Sequence, residues 1–400
     1  MDFLSYVTLT EESVIDYVKQ MVMFFPSDAV LSSKEIGDGN LNYVYRVMET
    51  ESGRSLIVKQ SGEFARATPD YKLTTDRSRI EAEILSRQAK LSPGSVPEVY
   101  LYDEVMCCCV MEDLIDYKIL RGELINYNTF PNFAEQMADF LANTLIRTSD
   151  LVMNSSEKKE WVKHFINPEL CLISEDLVFV DPYTNAGETN DVFEDNKSFV
   201  ESKIYDDQAL KFEAAKLYVK FKANAQSLIH GDLHSGSIFV NKNSTKVFDP
   251  EFAFFGPAGY DVGNVIGNLI FAWAGALQTM PCGMEKEDFL GWIQDTIGIM
   301  VDRFAEKSIH IIMNESKDPL CNTKQFAQWY VERILEDSAG YAGLEMIRRI
   351  VGEAHVKDIA GIQDSKKRLR AEQLVLSIGK KLILNRKTFH YGNDFSALLQ

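Results

Sequence analysis

The run I-H-G-D-L-H-S-G-S at 229–237 holds one carboxylate, Asp232, in a glycine-containing loop with a histidine two residues to either side. A carboxylate placed this way can take the proton of a hydroxyl that attacks phosphorus. Seventeen residues after Asp232 comes Asp249-Pro250-Glu251, which supplies two further carboxylates, the oxygen donors that Mg2+ prefers. One base and one metal-binding pair suit phosphoryl transfer from a nucleotide. His230 and His234 provide only two imidazole nitrogens, so orienting or packing roles are favoured over zinc ligation.

A nucleotide needs a cradle for its phosphates. The stretch I-G-D-G-N-L-N at 36–42 offers one: Gly37 and Gly39, on either side of Asp38, let backbone N–H groups approach anionic oxygens, and Asn40 and Asn42 can donate from their amides. No G-K-[ST] follows and no helix comes next, which excludes a Walker loop and a dinucleotide-binding turn. An ordinary glycine-rich hairpin turn is the alternative. Lys59 ends the apolar strand L-I-V-K, where a lysine usually snorkels to the surface. A partner on the helix that follows, Glu81 or less favourably Glu83, would make it a phosphate-binding lysine. Asp261, in G-Y-D-V-G-N at 259–264, suits a brace for the catalytic loop or a helix cap. Arg348 and Arg349 are neighbours on a late helix and are expected to face different ways, one toward a ligand and the other into a structural ion pair.

The elements that must carry these residues follow from periodicity. Residues 11–20 form a short amphipathic helix behind Thr10, an N-cap candidate. Lys34 to Gln60 reads as strand, turn, strand, turn, strand, followed by a helix over 74–90 and short strands at Val96 to Tyr102 and Met106 to Met111. Glu112-Asp113-Leu114 forms a polar hinge. Helices are predicted over 133–148, 196–226, 259–279, 287–305 and 324–349, interrupted by a strand-turn-strand between Leu228 and Asp249. The fold class is therefore α+β, with a β-rich lobe over 1–113 and a larger helical lobe over 114–400.

Composition agrees with a packed globular enzyme: 46% of the 400 residues are hydrophobic and 25% charged. A formal charge of −17 speaks against a nucleic-acid surface, which needs clustered Lys and Arg. The start lacks a signal-peptide pattern, and the longest apolar stretch, Val262 to Leu277, is interrupted by Asn264 and Asn268. A cytoplasmic protein with no membrane partner is expected. Six cysteines without C-x-x-C spacing read as small buried hydrophobes.

Taken together, G-D-G-N-L-N, the strand lysine, V-M-E-D-L at the hinge, H-G-D-L-H and D-P-E resemble the 5-methylthioribose kinases, relatives of the choline kinases and aminoglycoside phosphotransferases in a protein-kinase-like superfamily. N-P-E-L-C at 167–171, D-P-E-F-A-F-F-G-P at 249–257 and G-L-E-M-I-R-R at 343–349 extend the resemblance along most of the chain. It implies a bilobal fold, ATP and Mg2+ as cofactors, and transfer of the γ-phosphate to the 1-hydroxyl of 5-methylthioribose by a homodimer. The implied roles are Asn40 and Asn42 over the phosphates, Lys59 on them, and the backbone of Met111, Glu112 and Asp113 against adenine. Asp232 is the implied base and substrate ligand, Asp249 and Glu251 the metal ligands, and Arg348 and Arg349 part of the sugar site. Ser237 stands where the wider superfamily commonly has a metal-binding Asn, so Glu251 is expected to take that role. A kinase for choline, homoserine or an aminoglycoside, and a nucleotide-binding pseudokinase, are the competing readings.

Overall fold

The computed structural model describes residues 3–36, 42–64 and 72–400. The expected cradle residues Gly37, Asp38, Gly39 and Asn40 lie outside that set. The chain divides into two compact units: Met1–Tyr117 with Lys246–Ala253, and Lys118–Thr245 with Phe254–Gln400. The short segment 246–253 thus groups with the first unit, although it follows the expected boundary at 113 by more than a hundred residues. Its attachment is local and polar. The Val247 N–H donates to the Ser95 carbonyl at 2.7 Å, and Lys246 Nζ reaches Glu112 at 2.6 Å.

The first unit is built on a five-stranded antiparallel sheet of β1 (Leu31–Glu35), β2 (Asn42–Glu49), β3 (Ser55–Ser61), β4 (Val99–Asp103) and β5 (Cys108–Glu112), in the spatial order β1-β2-β3-β5-β4. Successive strand residues face opposite sides of a sheet. In β3, Leu56 and Val58 therefore join Val14, Tyr17 and Val18 of helix α1 (Glu11–Met21) in one apolar cluster, whereas Lys59 meets helix α2 (Arg77–Leu91) on the other side. Thr10 caps α1 by accepting the Ser13 N–H at 3.2 Å, while Ser13 Oγ accepts the Thr10 N–H at 2.8 Å. The cysteines are free thiols, Cys108 and Cys109 both buried.

The second unit is mainly helical. Its two-residue strand β6 (Lys118–Ile119) pairs antiparallel with Ile238–Val240, and Ser227–Ile229 pairs antiparallel with Phe254–Gly256, so short ladders bracket the 230–237 loop. Helix α3 (Leu120–Ile125) follows β6 directly. The two helices behind the loop, Gly259–Thr279 and Lys324–Val351, are buried along most of their length. They approach closely because Gly263 has no side chain: a Cβ there would stand 2.6 Å from the Ser338 carbonyl oxygen.

Two helical predictions are revised. The element expected at 287–305 runs from Met284 to Glu315, its apolar positions continuing through Ile311 and Ile312. The one expected over 196–226 is broken near Asp206-Asp207, where the Asp207 carboxylate accepts the Leu210 N–H at 2.9 Å and starts a new helix, Gln208–Ala223. Among the described residues no helix is long and apolar enough to cross a membrane.

Candidate active site

The first group of site residues lies in the unit that contains the five-stranded sheet. Lys59 Nζ donates to Glu81 Oε1 at 2.9 Å and forms an ion pair with Asp249. Glu83, the alternative partner, instead contacts Arg79 at 3.3 Å. Burial disfavours the Lys59 ammonium, yet Asp249, Glu81 and Glu251 overcome it and hold its pKa well above the usual lysine value. The carboxylates give way instead. Burial pushes Glu81 up to about 7 against the pull of Lys59, with Asp249 and Glu251 adding repulsion. Glu251 is raised as well, by burial first and then by Asp249, while Lys59 opposes the shift. One ammonium and the guanidinium of Arg77, which lies against Glu251, still leave the three carboxylates one positive charge short.

Asp249 sits in the left-handed region, with φ +66°, a conformation aspartate tolerates better than most residues. Its side chain keeps 36% of its exposure, in contrast to 7% for Glu251. Glu251 Oε2 accepts from Asn42 Nδ2 at 2.9 Å and lies 3.7 Å from Nε of the fully buried Arg77. Arg77 also donates to Asn42 Oδ1 at 3.1 Å and to the Gly62 carbonyl at 3.0 Å. Asn42, expected over the phosphates, is therefore engaged with Glu251 and Arg77. At the hinge, Met111 is buried and Glu112 donates its N–H to the Glu98 carbonyl at 2.8 Å. The Asp113 carboxylate takes a bidentate contact from Arg46 at 2.6 and 2.9 Å. Pro250 accepts the Ala253 N–H on its carbonyl at 3.1 Å, closing the turn after Asp249.

The donor set suits Mg2+. Among the described residues no three His, Cys, Asp or Glu side chains converge to hold a metal alone. Mg2+ needs only one or two carboxylates when phosphate oxygens and water complete its shell. The excess of carboxylate over ammonium around Lys59 is the charge that such an ion would offset.

The second group lies in the helical unit. Gly231 takes φ +86°, which turns the backbone so that the N–H groups of His230 and Gly231 both donate to Asp261, at 2.7 and 3.1 Å. Asp261 is thus a brace for the loop. Ser237 Oγ donates to the Asp232 carbonyl at 3.2 Å and closes the loop from the other end. His234 Nδ1 accepts the Gly236 N–H at 2.9 Å, which leaves the ring proton on Nε2, 3.3 Å from Asp232 Oδ2. The other oxygen, Oδ1, lies 3.1 Å from Arg348 Nη2 and 3.5 Å from Arg349 Nη2. Burial would raise the pKa of Asp232, but His234, Arg348 and Arg349 hold it well below the usual carboxylate range.

The expectation that Arg348 and Arg349 diverge is corrected. Both turn to the same side because Glu345, one helical turn earlier, accepts from Nε of each, Arg349 at 3.0 Å and Arg348 in a closer contact. Burial opposes ionisation of Glu345, yet the two guanidinium groups pull its pKa down to about 2.

A carboxylate held ionised among arginines in one unit, and a buried lysine bonded to a helix glutamate in the other, are each groups of the kind that phosphoryl transfer uses. The model of the phosphotransferase enzyme family APH matches residues 32–281. A methylthioribose kinase from Geobacillus sp. (strain WCH70) is 38% identical over 394 residues, covering 98% of this chain and 96% of that one. The chain belongs to the methylthioribose kinase family. A second member, from Pectobacterium carotovorum subsp. carotovorum (strain PC1), is 36% identical over 392 residues and covers 95% of this chain and 94% of that one. Among solved structures, a choline kinase from Cryptosporidium parvum Iowa II matches 94% of this chain and 96% of its own with a TM-score of 0.52. At 12% identity that likeness concerns the fold alone. As a member of the methylthioribose kinase family the protein is a kinase of protein-kinase-like architecture, a phosphotransferase that uses ATP.

Four residues of these clusters escape a reading of the sequence. Arg77 resembles any first-turn helix arginine. Arg121, whose Nε donates to Ser235 Oγ at 3.1 Å, follows a strand of only two residues. Asn268 interrupts an apolar run without announcing a partner. Glu345 alone carries a usable signal, its spacing of three and four residues from the two arginines.

Proposed function

We propose that the protein transfers the γ-phosphoryl group of ATP to the 1-hydroxyl of 5-methylthioribose, giving 5-methylthioribose 1-phosphate in methionine salvage. The observation that carries this reading is the Asp232 carboxylate, kept ionised by His234, Arg348 and Arg349 in a chain 38% identical to a methylthioribose kinase.

In this reading Asp232 orients the acceptor hydroxyl and receives its proton. Its depressed pKa makes it a weak base, which fits a loose transition state in which the phosphoryl group has largely left ATP before the hydroxyl becomes acidic. Lys59, fixed by Glu81, binds the phosphates, and the backbone of Met111 to Asp113 meets adenine. Asp249 and Glu251 are the residues that would hold Mg2+, with Asn42 and Arg77 setting the orientation of Glu251. When bound, the ion supplies neutralisation of charge on the phosphate oxygens. The arginine pair disfavours a cationic acceptor such as choline, which calls for an aromatic cage or acidic pocket. On this reading residues 1–113 handle the nucleotide and 114–400 the acceptor, with the segment around Asp249 working for the nucleotide. A cytoplasmic homodimer is the form proposed.

The test is coupled ADP release with Mg-ATP and a panel of 5-methylthioribose, ribose, choline and an aminoglycoside, beside Asp232→Ala. Turnover on methylthioribose that disappears in the variant is the expected result. Turnover on choline or the aminoglycoside alone would replace the acceptor, and none at all would favour a nucleotide-binding module.

A further inference from the structure

Asn268 lies mid-helix in the apolar element Gly259–Thr279, 3% exposed. A buried amide is costly unless its hydrogen bonds are made. Here both ends are engaged. Oδ1 accepts the Ser235 N–H at 3.1 Å, Ser235 Oγ at 3.0 Å and Arg121 Nη2 at 3.3 Å. Nδ2 donates to the Asn264 carbonyl at 2.9 Å and to Glu345 Oε1 at 3.2 Å. The orientation is fixed by its partners, since a backbone N–H only donates and a carboxylate only accepts.

These contacts close a ring. From Asp232 the chain runs three residues to Ser235, Ser235 is held by Asn268, and Asn268 is bonded to Glu345. Glu345 holds Arg348 and Arg349, and both reach back to Asp232. We propose that Asn268 is a positioning residue that locks the catalytic loop to the arginine pair and so fixes Asp232 against Arg348 and Arg349, without touching substrate itself. The inference rests on the role given above to Asp232.

Asn268→Asp tests it at nearly unchanged volume. It replaces a donor to Glu345 with a second carboxylate oxygen, and two carboxylates in contact cannot both ionise cheaply, so the pair takes up a shared proton. The charged groups around position 268 are Glu345, Arg348 and Arg349 from the helix Lys324–Val351, Arg121 from α3, Asp358 beside Arg121, and Asp232 with His234 in the loop. Asp358, pushed up to about 6 by burial against the pull of Arg121, titrates in wild type too, so the readout is the difference between variant and wild type.

For Asn268→Asp we expect kcat on methylthioribose to be roughly tenfold or more below wild type near pH 8, with KM for ATP unchanged, and to recover as pH falls toward about 6. Thermal unfolding should show the same proton, as a rise in Tm on acidification larger than the one wild type shows. Ser235→Ala, a milder cut at the other end of the ring, should lower kcat several-fold and leave KM for ATP alone. Wild-type kcat in Asn268→Asp at pH 8, alongside the added rise in Tm on acidification, would overturn the proposal, as would unchanged kcat in Ser235→Ala. An Asn268→Asp that fails to fold leaves the decision to Ser235→Ala. Wild type inactive on methylthioribose would instead overturn the acceptor assignment, and the Tm comparison would then judge the Asn268–Glu345 contact by itself.

Discussion

Around Lys59 three carboxylates face one ammonium and the guanidinium of Arg77, whereas around Asp232 two arginines and a histidine converge on one carboxylate that shares the arginines with Glu345. The pKa shifts take opposite directions accordingly. Glu81 rises to about 7, while Glu345 falls to about 2. Burial pushes Glu81, Glu251, Asp232 and Glu345 alike upward, and what differs is the supply of nearby positive charge. The sheet unit keeps a deficit that a bound cation could fill. The helical unit has its cations built in, and the Asp232 carboxylate stays ionised without help.

The largest effect should come from removing Asp232, the proposed base. Asp232→Asn is expected to lower kcat by about 10²–10⁴, the usual worth of a positioned general base, with nucleotide affinity nearly unchanged. Equal loss of ATP affinity in a titration would place Asp232 in nucleotide binding instead. Next comes the anchor of the arginines. Glu345→Gln leaves two buried guanidinium groups short of their partner and should cost about 3–5 kcal/mol in urea unfolding, the range for a broken buried ion pair. A change under about 1 kcal/mol, the size of a surface pair, would show that the cluster carries little of the stability.

In the carboxylate-rich cluster, Lys59→Met should lower kcat by about 10²–10³, as loss of one electrostatic stabiliser does, and raise KM for ATP. Unaltered ATP kinetics would detach Lys59 from the nucleotide. The smallest effect is on stability against pH. Glu81 holds its proton more tightly folded than unfolded, because its pKa moves from the ordinary 4.5 to about 7. That contribution is present below the unfolded value and is lost as pH climbs through about 7. Glu345 works in reverse. Its depressed pKa stabilises the fold above the unfolded value, and the contribution is lost as pH falls toward about 2. Melts of the ligand-free protein should therefore show Tm declining from about pH 5 to pH 8 and a separate acid limb below about pH 4. The neutral limb should shrink in Glu81→Gln, to the part that Glu251 and Asp358 contribute, and the acid limb should shrink in Glu345→Gln. A neutral limb of undiminished size in Glu81→Gln would assign that proton elsewhere.

Much of the fold was legible because its signals are local. Alternation in β2 and β3, the cap at Thr10, the helix carrying Glu81 and the apolar run from Val262 are all written within about a dozen residues each, the range over which periodicity and capping act. The breaks were harder to see. The interruption near Asp207 depends on one side chain capping a new helix, and the extension to Glu315 depends on what Ile311 and Ile312 pack against. The arginine pair was misjudged for a related reason. Adjacent helix positions do diverge at their Cα–Cβ bonds, but a long side chain can bend back, and Glu345 makes both do so.

What the residues determined alone is the inventory of chemistry: an aspartate next to a glycine, a strand lysine, an acidic pair on either side of a proline, and two arginines late in the chain. Local stereochemistry fixes these, since glycine permits the loop at Gly231 and alternation sets the face of Lys59. The tertiary structure decided how the charges are apportioned. That Asn42 and Arg77 orient Glu251, that Asn268 bridges Ser235 to Glu345, and that Asp232 is held ionised by three donors all depend on groups far apart in the chain. Such long-range pairings depend on burial and packed geometry, quantities that no window of sequence contains.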